Sequence, residues 1–103
     1  MKFVKVTNHN ENFWHSLKDE PKQMAAALQV HFDQLKKLKE EGKLLDAIYC
    51  PNKGKCYYFF EFESETEVDQ YLLNDPMGFT FDIEWNMGVP LFEHIPNALK
   101  TME

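Results

Sequence analysis

Arginine is absent from this sequence, and all eleven basic residues are lysines. Seventeen acidic residues bring the formal net charge to -6 at pH 7. Such a chain lacks the planar guanidinium that binds phosphates and guanine edges, and its acidic field repels polyanions. We therefore expect neither nucleic acid nor an anionic membrane surface as a partner.

Long apolar runs are also missing, since no stretch approaches the roughly 18 residues that indicate a membrane-spanning helix. The segment from Met1 to Thr7 is too short and too alternating for a signal peptide, so we expect a cytoplasmic protein. At 103 residues the chain suffices for one hydrophobic core but not two, and residues 1–103 are expected to form a single domain.

Cysteine is scarce, with only Cys50 and Cys56 on either side of a five-residue segment. If this segment is a hairpin loop, the two sulfurs could form a cross-strand disulfide, although two free thiols are the expectation for a reducing compartment. Their spacing fits neither a CxxC redox motif nor a zinc site, and no two histidines have ligand spacing on one helix face. We predict no metal and no cofactor.

Aromatic residues, by contrast, are abundant at 15% of the chain, and they lie within a regular alternation of strand and helix patterns. Proline in a first turn, a glycine stop, a Ser-x-x-Glu capping box and an Asp-Pro step delimit two helices. The predicted order is β-α-β-β-α-β, with strands over 2–7, 44–50, 56–63 and 79–85 and helices over 21–41 and 65–74.

Two segments fall outside this order. Residues 8–20 are mostly polar and are predicted to be a long loop between the first strand and the first helix, a length typical of functional or mobile loops. Residues 88–103 are predicted to be a C-terminal edge segment, in which 91–95 forms an edge strand or reaches a partner chain.

The order β-α-β-β-α-β is typical of the ferredoxin-like α+β fold, an antiparallel sheet with two helices on one face. Such a sheet leaves its other face bare, yet the third strand carries rings on both faces, in Tyr57-Tyr58-Phe59-Phe60 and Phe62. Burying a large apolar side chain is worth roughly 1.5 to 3 kcal/mol. We therefore expect a homodimer in which a second copy covers the open sheet face.

Several short motifs follow one another along 3–94: His31-Phe32-Asp33-Gln34-Leu35, Leu38, Gly42-Lys43-Leu44, Ser64 with Glu67, Asp75-Pro76 and Pro90-Leu91. Together they resemble the dimeric α/β-barrel superfamily, in particular its muconolactone-isomerase-like and YCII-related branches. In the YCII-related group, a histidine on the first helix and an aspartate are suspected to form an active dyad. The resemblance thus implies His31 and Asp75 as catalytic residues, whereas segment 8–20 has no counterpart in that group.

His31 also stands out without the resemblance. It shares an apolar helical stripe with Met24, Leu28, Leu35 and Leu38, which predicts that it points toward the sheet. An imidazole there can move a proton on or off a bound organic acid near neutral pH. The alternative is a core histidine that is hydrogen-bonded within the protein. For Asp75, the alternative is a helix stop before proline.

Four aromatic residues are candidates for ligand binding. Tyr49, Tyr58 and Trp85 can supply apolar walls with a polar tip to a cleft, although strand aromatics are more often core or dimer interface. Trp14 is a candidate lid on the 8–20 segment, and its alternative role is to anchor that segment to the body of the protein.

Two function hypotheses follow. One is a cofactor-independent isomerase or lyase that acts on a small aromatic or lactone-like acid, with His31 as proton shuttle. The other is a non-catalytic dimeric module that binds a small ligand or a partner protein. Cofactor-free oxygenation is possible for this superfamily, but no residue pattern favours it. No nucleophile elbow or phosphate-binding loop occurs in the sequence.

Overall fold

In the computed structural model, the chain forms a four-stranded sheet and four α-helices. The strands are β1 (Lys2–His9), β2 (Leu44–Cys50), β3 (Lys55–Glu61) and β4 (Phe81–Gly88). The helices are α1 (Glu11–Asp19), α2 (Pro21–Glu40), α3 (Glu65–Asn74) and α4 (Leu91–Met102), and a short 3-10 turn (Gly78–Thr80) precedes β4.

The sheet has the strand order β2-β3-β1-β4, and all three neighbouring pairs are antiparallel. Helices α2 and α3 connect strands that are not neighbours, and their buried residues pack on the same face of the sheet. This arrangement confirms the predicted ferredoxin-like α+β fold.

Residue alternation along the central strand β1 decides what faces the helices. Phe3, Lys5 and Thr7 are buried on the helix side, whereas Val4 and Val6 lie on the opposite, open face. Around them a core forms from side chains of the sheet and α3: Phe3, Leu44, Tyr58, Phe60, Phe62, Val68 and Tyr71. A lysine and a threonine therefore lie at inward positions of the central strand.

Helix α2 begins and ends as its sequence signals predict. Pro21 occupies the first turn, and Gly42 beyond the C-cap has φ +76°, a conformation that favours glycine. Met24 and His31 are its buried residues. Leu28 is 48% exposed, so its predicted inward position is wrong, because it lies at the edge of a stripe whose centre passes through His31.

Residues 8–20 do not form the predicted loop. The Asn10 side chain accepts hydrogen bonds from the backbone N–H groups of Asn12 and Phe13 and so caps α1. Phe13 stacks on His9 with ring centroids 3.7 Å apart, which ties α1 to β1. The helix carries mostly polar residues, and its cap was the sequence signal that could have revealed it.

The C-terminal segment is also different from the prediction. Residues 91–102 form helix α4 rather than an edge strand, and the helix continues through Pro96, which has no N–H to donate. None of its residues is buried, and its apolar side chains are exposed at Leu91, Phe92, Ile95, Leu99 and Met102. The prediction over 91–95 is wrong because the apolar residues recur at helical spacing as far as Met102, a period that a five-residue segment does not show.

The two cysteines are free. Cys50 pairs with Lys55 across β2 and β3, whereas Cys56 pairs with Thr7 and Tyr49. Because successive strand residues point to opposite faces, Cys56 faces the helices and Cys50 faces the open side. The register therefore excludes the cross-strand disulfide that the sequence left open.

The open face of the sheet carries Val4, Val6, Ile48, Tyr57 and Phe59, none of which is buried. Rings thus lie on both faces of β3, as the sequence indicated.

No helix of this protein combines the length and the apolar character that crossing a membrane requires.

Candidate active site

A cluster of buried polar side chains lies between the helices and the sheet. Lys5 comes from the middle of β1, His31 from α2, and Tyr71 from α3, while Asp75 directly follows α3. Each occupies an inward position of its element, so the fold brings together four residues that are distant in sequence.

His31 and Asp75 form a hydrogen-bonded pair, with Nδ1 of the imidazole 2.8 Å from Oδ1 of the carboxylate. The same oxygen accepts the backbone N–H of Met77 at 2.9 Å. Pro76 restricts Asp75 to an extended conformation, φ -79° and ψ 112°, which ends α3 and turns the carboxylate toward α2. Asp75 therefore both ends α3 and provides the hydrogen-bond partner of His31.

Asp75 is held as a carboxylate. Burial alone would raise its pKa, but the hydrogen bond and charge of His31, the Met77 N–H and the charge of Lys5 outweigh burial, and the pKa lies below its ordinary value. The ionised Asp75 accepts the Nδ1 proton and so orients the imidazole ring, whose other nitrogen is Nε2. Nε2 makes no hydrogen bond within the chain.

Lys5 is the residue that the sequence analysis missed. Its side chain is 0% exposed, its Nζ donates to the Tyr71 hydroxyl at 2.7 Å, and it lies 3.5 Å from Oδ2 of Asp75. The ammonium also lies 4.7 Å from the ring centroids of Tyr58 and Tyr71. Desolvation lowers the pKa of Lys5, and Asp75 opposes this shift. Lys5 lies two residues from both Phe3 and Thr7 in β1, and side chains at this spacing point to the same face of a strand. This period of two was the sequence signal that could have placed Lys5 in the interior.

Tyr58 is buried within this cluster. Its ring lies edge-on to the imidazole of His31 with centroids 6.5 Å apart. Burial, together with the hydrogen bond and charge of Cys56, raises the pKa of Tyr58 well above its ordinary value. Burial and the negative charge of Asp75 likewise raise the pKa of Tyr71. Both hydroxyls therefore stay protonated in the folded protein.

The other three ligand-binding candidates lie elsewhere. Trp85 packs in the aromatic core, with its ring centroid 5.5 Å from that of Phe3. Tyr49 is 54% exposed on the edge strand β2. Trp14 is 58% exposed, and its ring lies edge-on to that of His9. The ring of Phe81 lies between His9 and His31, so Trp14 does not contact His31. The structure thus brings His31, Asp75 and Tyr58 together but leaves Tyr49, Trp85 and Trp14 apart from them.

A cleft of about 310 Å³ separates α2 from α3. Tyr71 lines this cleft and also belongs to the buried cluster. At one end of the cleft, the side chain of Gln34 donates to the carbonyl of Asn74 at 2.9 Å. His31 lies one helical turn before Gln34, and Asp75 directly follows Asn74 in the chain, but neither His31 nor Asp75 lines the cleft.

No set of three or more histidine, cysteine, aspartate or glutamate side chains converges in a way that could hold a metal ion. The buried cluster contains a single imidazole and a single carboxylate, both engaged with each other. A hydrogen-bonded imidazole and carboxylate can together accept and donate a proton.

No protein-family model matches the chain, and no curated protein matches it in sequence. Its structure is similar to that of 5-chloro-2-hydroxyhydroquinone dehydrochlorinase from Burkholderia phenoliruptrix AC1100 in complex with 2,5-dihydroxybenzoquinone. The two share a TM-score of 0.60 and 18% sequence identity over 90% of this chain and 98% of the other. At this identity, the likeness establishes a common fold.

Proposed function

We propose that this protein is a small cytoplasmic enzyme of the muconolactone-isomerase-like and YCII-related type, a cofactor-independent isomerase or lyase. Its substrate is a small aromatic or lactone-like acid, and His31 shuttles the proton. The observation that carries this proposal is the 2.8 Å contact between His31 and a buried, ionised Asp75, which leaves Nε2 of the imidazole unpartnered. A histidine oriented by a carboxylate is a common general base.

In the proposed reaction, Nε2 of His31 removes a proton from a carbon next to a carbonyl group. The C–H electron pair moves toward the carbonyl oxygen and gives an enolate. When a carbon–carbon double bond adjoins the deprotonated carbon, the enolate is a dienolate, and the protonated imidazole returns its proton to the far carbon of that dienolate. This completes an isomerisation with no net gain or loss of atoms. Asp75 stabilises the imidazolium during this step because its negative charge lies 2.8 Å away.

The fold is compatible with this chemistry. A solved enzyme with the same fold is named as a dehydrochlorinase, and its structure is a complex with 2,5-dihydroxybenzoquinone, a small ring compound. Because one fold hosts many functions, this likeness supports the size class of the substrate and not a particular reaction.

We further propose that the enzyme is a homodimer that pairs through the open sheet face. This face carries the side chains of Val4, Val6, Tyr57 and Phe59, which a single copy leaves accessible to water. Val6→Lys would place a charge at its centre and should convert the dimer to monomers in sedimentation velocity. A matched Gln23→Lys change, at an exposed position of α2 on the other side of the sheet, should leave a dimer. A wild-type protein that sediments as a monomer would refute the pairing.

Solvent-proton exchange tests the catalytic proposal without knowledge of the true substrate. Phenylpyruvate and muconolactone are small acids with enolisable C–H groups, and deuterium incorporation in D₂O can be followed by NMR. We expect the wild-type protein to accelerate exchange in at least one of them and His31→Gln to abolish the acceleration. His15→Gln, an exposed histidine on α1, is the matched control and should exchange like wild type.

The second candidate function is a non-catalytic module that binds a small ligand through the same region. The observation in its favour is that His31 is only 6% exposed and is enclosed by Tyr58, Phe81 and Asp75. Under this alternative, neither acid shows accelerated exchange, while saturable binding of one of them persists in His31→Gln.

A further inference from the structure

Helix α4 stands apart from the rest of the fold. None of its residues is buried, and the hydrogen bonds of its backbone and side chains stay within residues 90–103. Its exposed apolar side chains nevertheless share one side of the helix: Leu91, Phe92, Ile95, Leu99 and Met102. A 12-residue helix that contains a proline is marginal in water by itself, so this apolar side indicates that another surface covers it.

The chain as a whole exposes more surface than a folded monomer of its size. Its accessible surface is 7456 Å², whereas a folded monomer of 12.2 kDa exposes about 6,100 Å². Its radius of gyration is 16.3 Å, against about 13 Å for a compact domain of this length. If each of two copies buried the excess of about 1,400 Å², the interface would measure about 2,800 Å², which lies in the range of permanent homodimers. A second copy is therefore a cover of the right size.

The strand next to α4 presents a polar surface on the open face of the sheet. Only Val89 and Pro90 separate β4 from α4. By its register with β1, β4 carries Asp82, Glu84 and Asn86 on that face. The apolar side chains of the open face lie on the other three strands: Val4, Val6, Ile48, Tyr57 and Phe59. The apolar side of α4 thus has no apolar neighbour on its own strand, and the structure leaves it in water.

We propose that α4 is exchanged between two copies of this chain, so that the apolar side of each α4 packs on the partner's open sheet face, over Ile48 and Tyr57 at the β2 edge. Ile48 is 50% exposed in a single copy. This inference rests on the homodimer of the proposed function and adds a second element to its interface. Direct contact between the two sheets then centres on Val4 and Val6 of β1.

Two-fold symmetry makes this exchange self-consistent. A contact that one α4 makes on the partner is repeated by the other α4, so two exposed helices and two open faces are covered at once. The contact is closed, because each copy gives one helix and receives one, and it leaves no further apolar helix available for a third copy. The proposal therefore requires a dimer and not an open chain of subunits.

Contacts between copies can be observed directly by NMR. Equal amounts of ¹³C,¹⁵N-labelled and unlabelled full-length protein are unfolded together in urea and refolded, so that half of the dimers contain one copy of each kind. An isotope-filtered NOE spectrum then records only contacts between a labelled and an unlabelled copy. We expect cross-peaks from the methyl groups of Ile95 and Leu99 to the methyl protons of Ile48 and the ring protons of Tyr57 in the other copy.

A double variant measures how much α4 contributes to the dimer. Ile95→Asp combined with Leu99→Asp should raise the dissociation constant of the dimer about 100-fold or more in sedimentation equilibrium, since each buried apolar side chain accounts for about tenfold. The matched control is Asn97→Asp combined with Thr101→Asp. It adds the same charge at the same spacing on the polar side of α4 and should dimerise like wild type.

Three results would overturn the exchange. They are a filtered spectrum with contacts from Val4 and Val6 but none from Ile95 and Leu99, contacts of α4 that appear only within one copy, and equal dissociation constants in both double variants and wild type. The sheet pairing fails separately: filtered contacts from α4 without any from Val4 and Val6 would refute that pairing and retain the exchange. A monomeric wild-type protein would refute both, whereas solvent-proton exchange tests the catalytic proposal independently of them.

Discussion

Asp75→Asn offers a direct test of the buried charge network. An asparagine can still accept hydrogen bonds from His31 and from the Met77 N–H, so the change removes charge while keeping shape. It leaves the Lys5 ammonium, 0% exposed, without its carboxylate partner. We expect a large loss of stability because an uncompensated charge then remains buried.

The magnitude follows from the geometry. At the observed 3.5 Å between Nζ and Oδ2, an effective dielectric constant of about 20 gives an attraction of about 5 kcal/mol. Breaking a buried ion pair by removal of one partner typically costs about 3 to 5 kcal/mol. Asp75→Asn should therefore lower the free energy of unfolding at pH 7 by about 3 to 5 kcal/mol, a large part of the typical total of about 5 to 15 kcal/mol.

Urea unfolding followed by circular dichroism, at one fixed protein concentration, measures this loss. Adding Lys5→Met to Asp75→Asn removes the stranded ammonium and should recover at least about 2 kcal/mol, because an apolar side chain of similar length needs no counter-ion. The deficit of Asp75→Asn should also shrink as pH rises toward about 10, since Lys5 then loses its proton in the folded state before the unfolded state does. Two results would refute the reasoning. One is a free energy of unfolding for Asp75→Asn within about 1 kcal/mol of wild type, and the other is a double variant that is no more stable than Asp75→Asn alone.

Three smaller predictions follow. Gly42→Ala should destabilise by about 1 to 2 kcal/mol in urea unfolding, because φ is +76°, whereas Gly78→Ala, with free space and no positive φ, should not. Ser64→Ala should cost about 1 kcal/mol in the same assay through loss of the α3 cap. The low pKa of Asp75 predicts a stability contribution that is present above about pH 3.9 and lost as pH falls through the folded pKa; Asp75→Asn, measured between pH 2 and 5, should lack that part of the pH dependence.

The order of the main elements was predictable because each depends on local signals. Pro21 and Gly42 delimit α2, and Ser64 and Asp75 delimit α3, each by a backbone requirement that a few neighbouring residues satisfy. Two helices were not predicted from the sequence, each for a different reason. Helix α1 has few apolar residues to reveal its period, and α4 continues through Pro96, a residue that usually ends a helix.

The candidate site was only partly predictable. His31 and Asp75 were candidates, from helical spacing and from the resemblance to YCII-related proteins, but their 2.8 Å contact depends on how α2 and α3 pack. Lys5 was missed because a charged residue in an alternating strand is usually assigned to the solvent side. Here the inward register of β1 is fixed by Phe3 and Thr7, and it buries the lysine with them.

By itself, the sequence determined the ferredoxin-like order of strands and helices, because hydrophobic periods, caps and stops act over a few residues. Only the tertiary structure decided which polar groups lie together in the interior and which of their hydrogen-bonding atoms have no partner. That outcome depends on strand register and helix packing, which place Lys5 and Tyr71, 66 positions apart in the chain, within 2.7 Å of each other. Contacts of that kind are set by the whole core at once, and no local pattern encodes them.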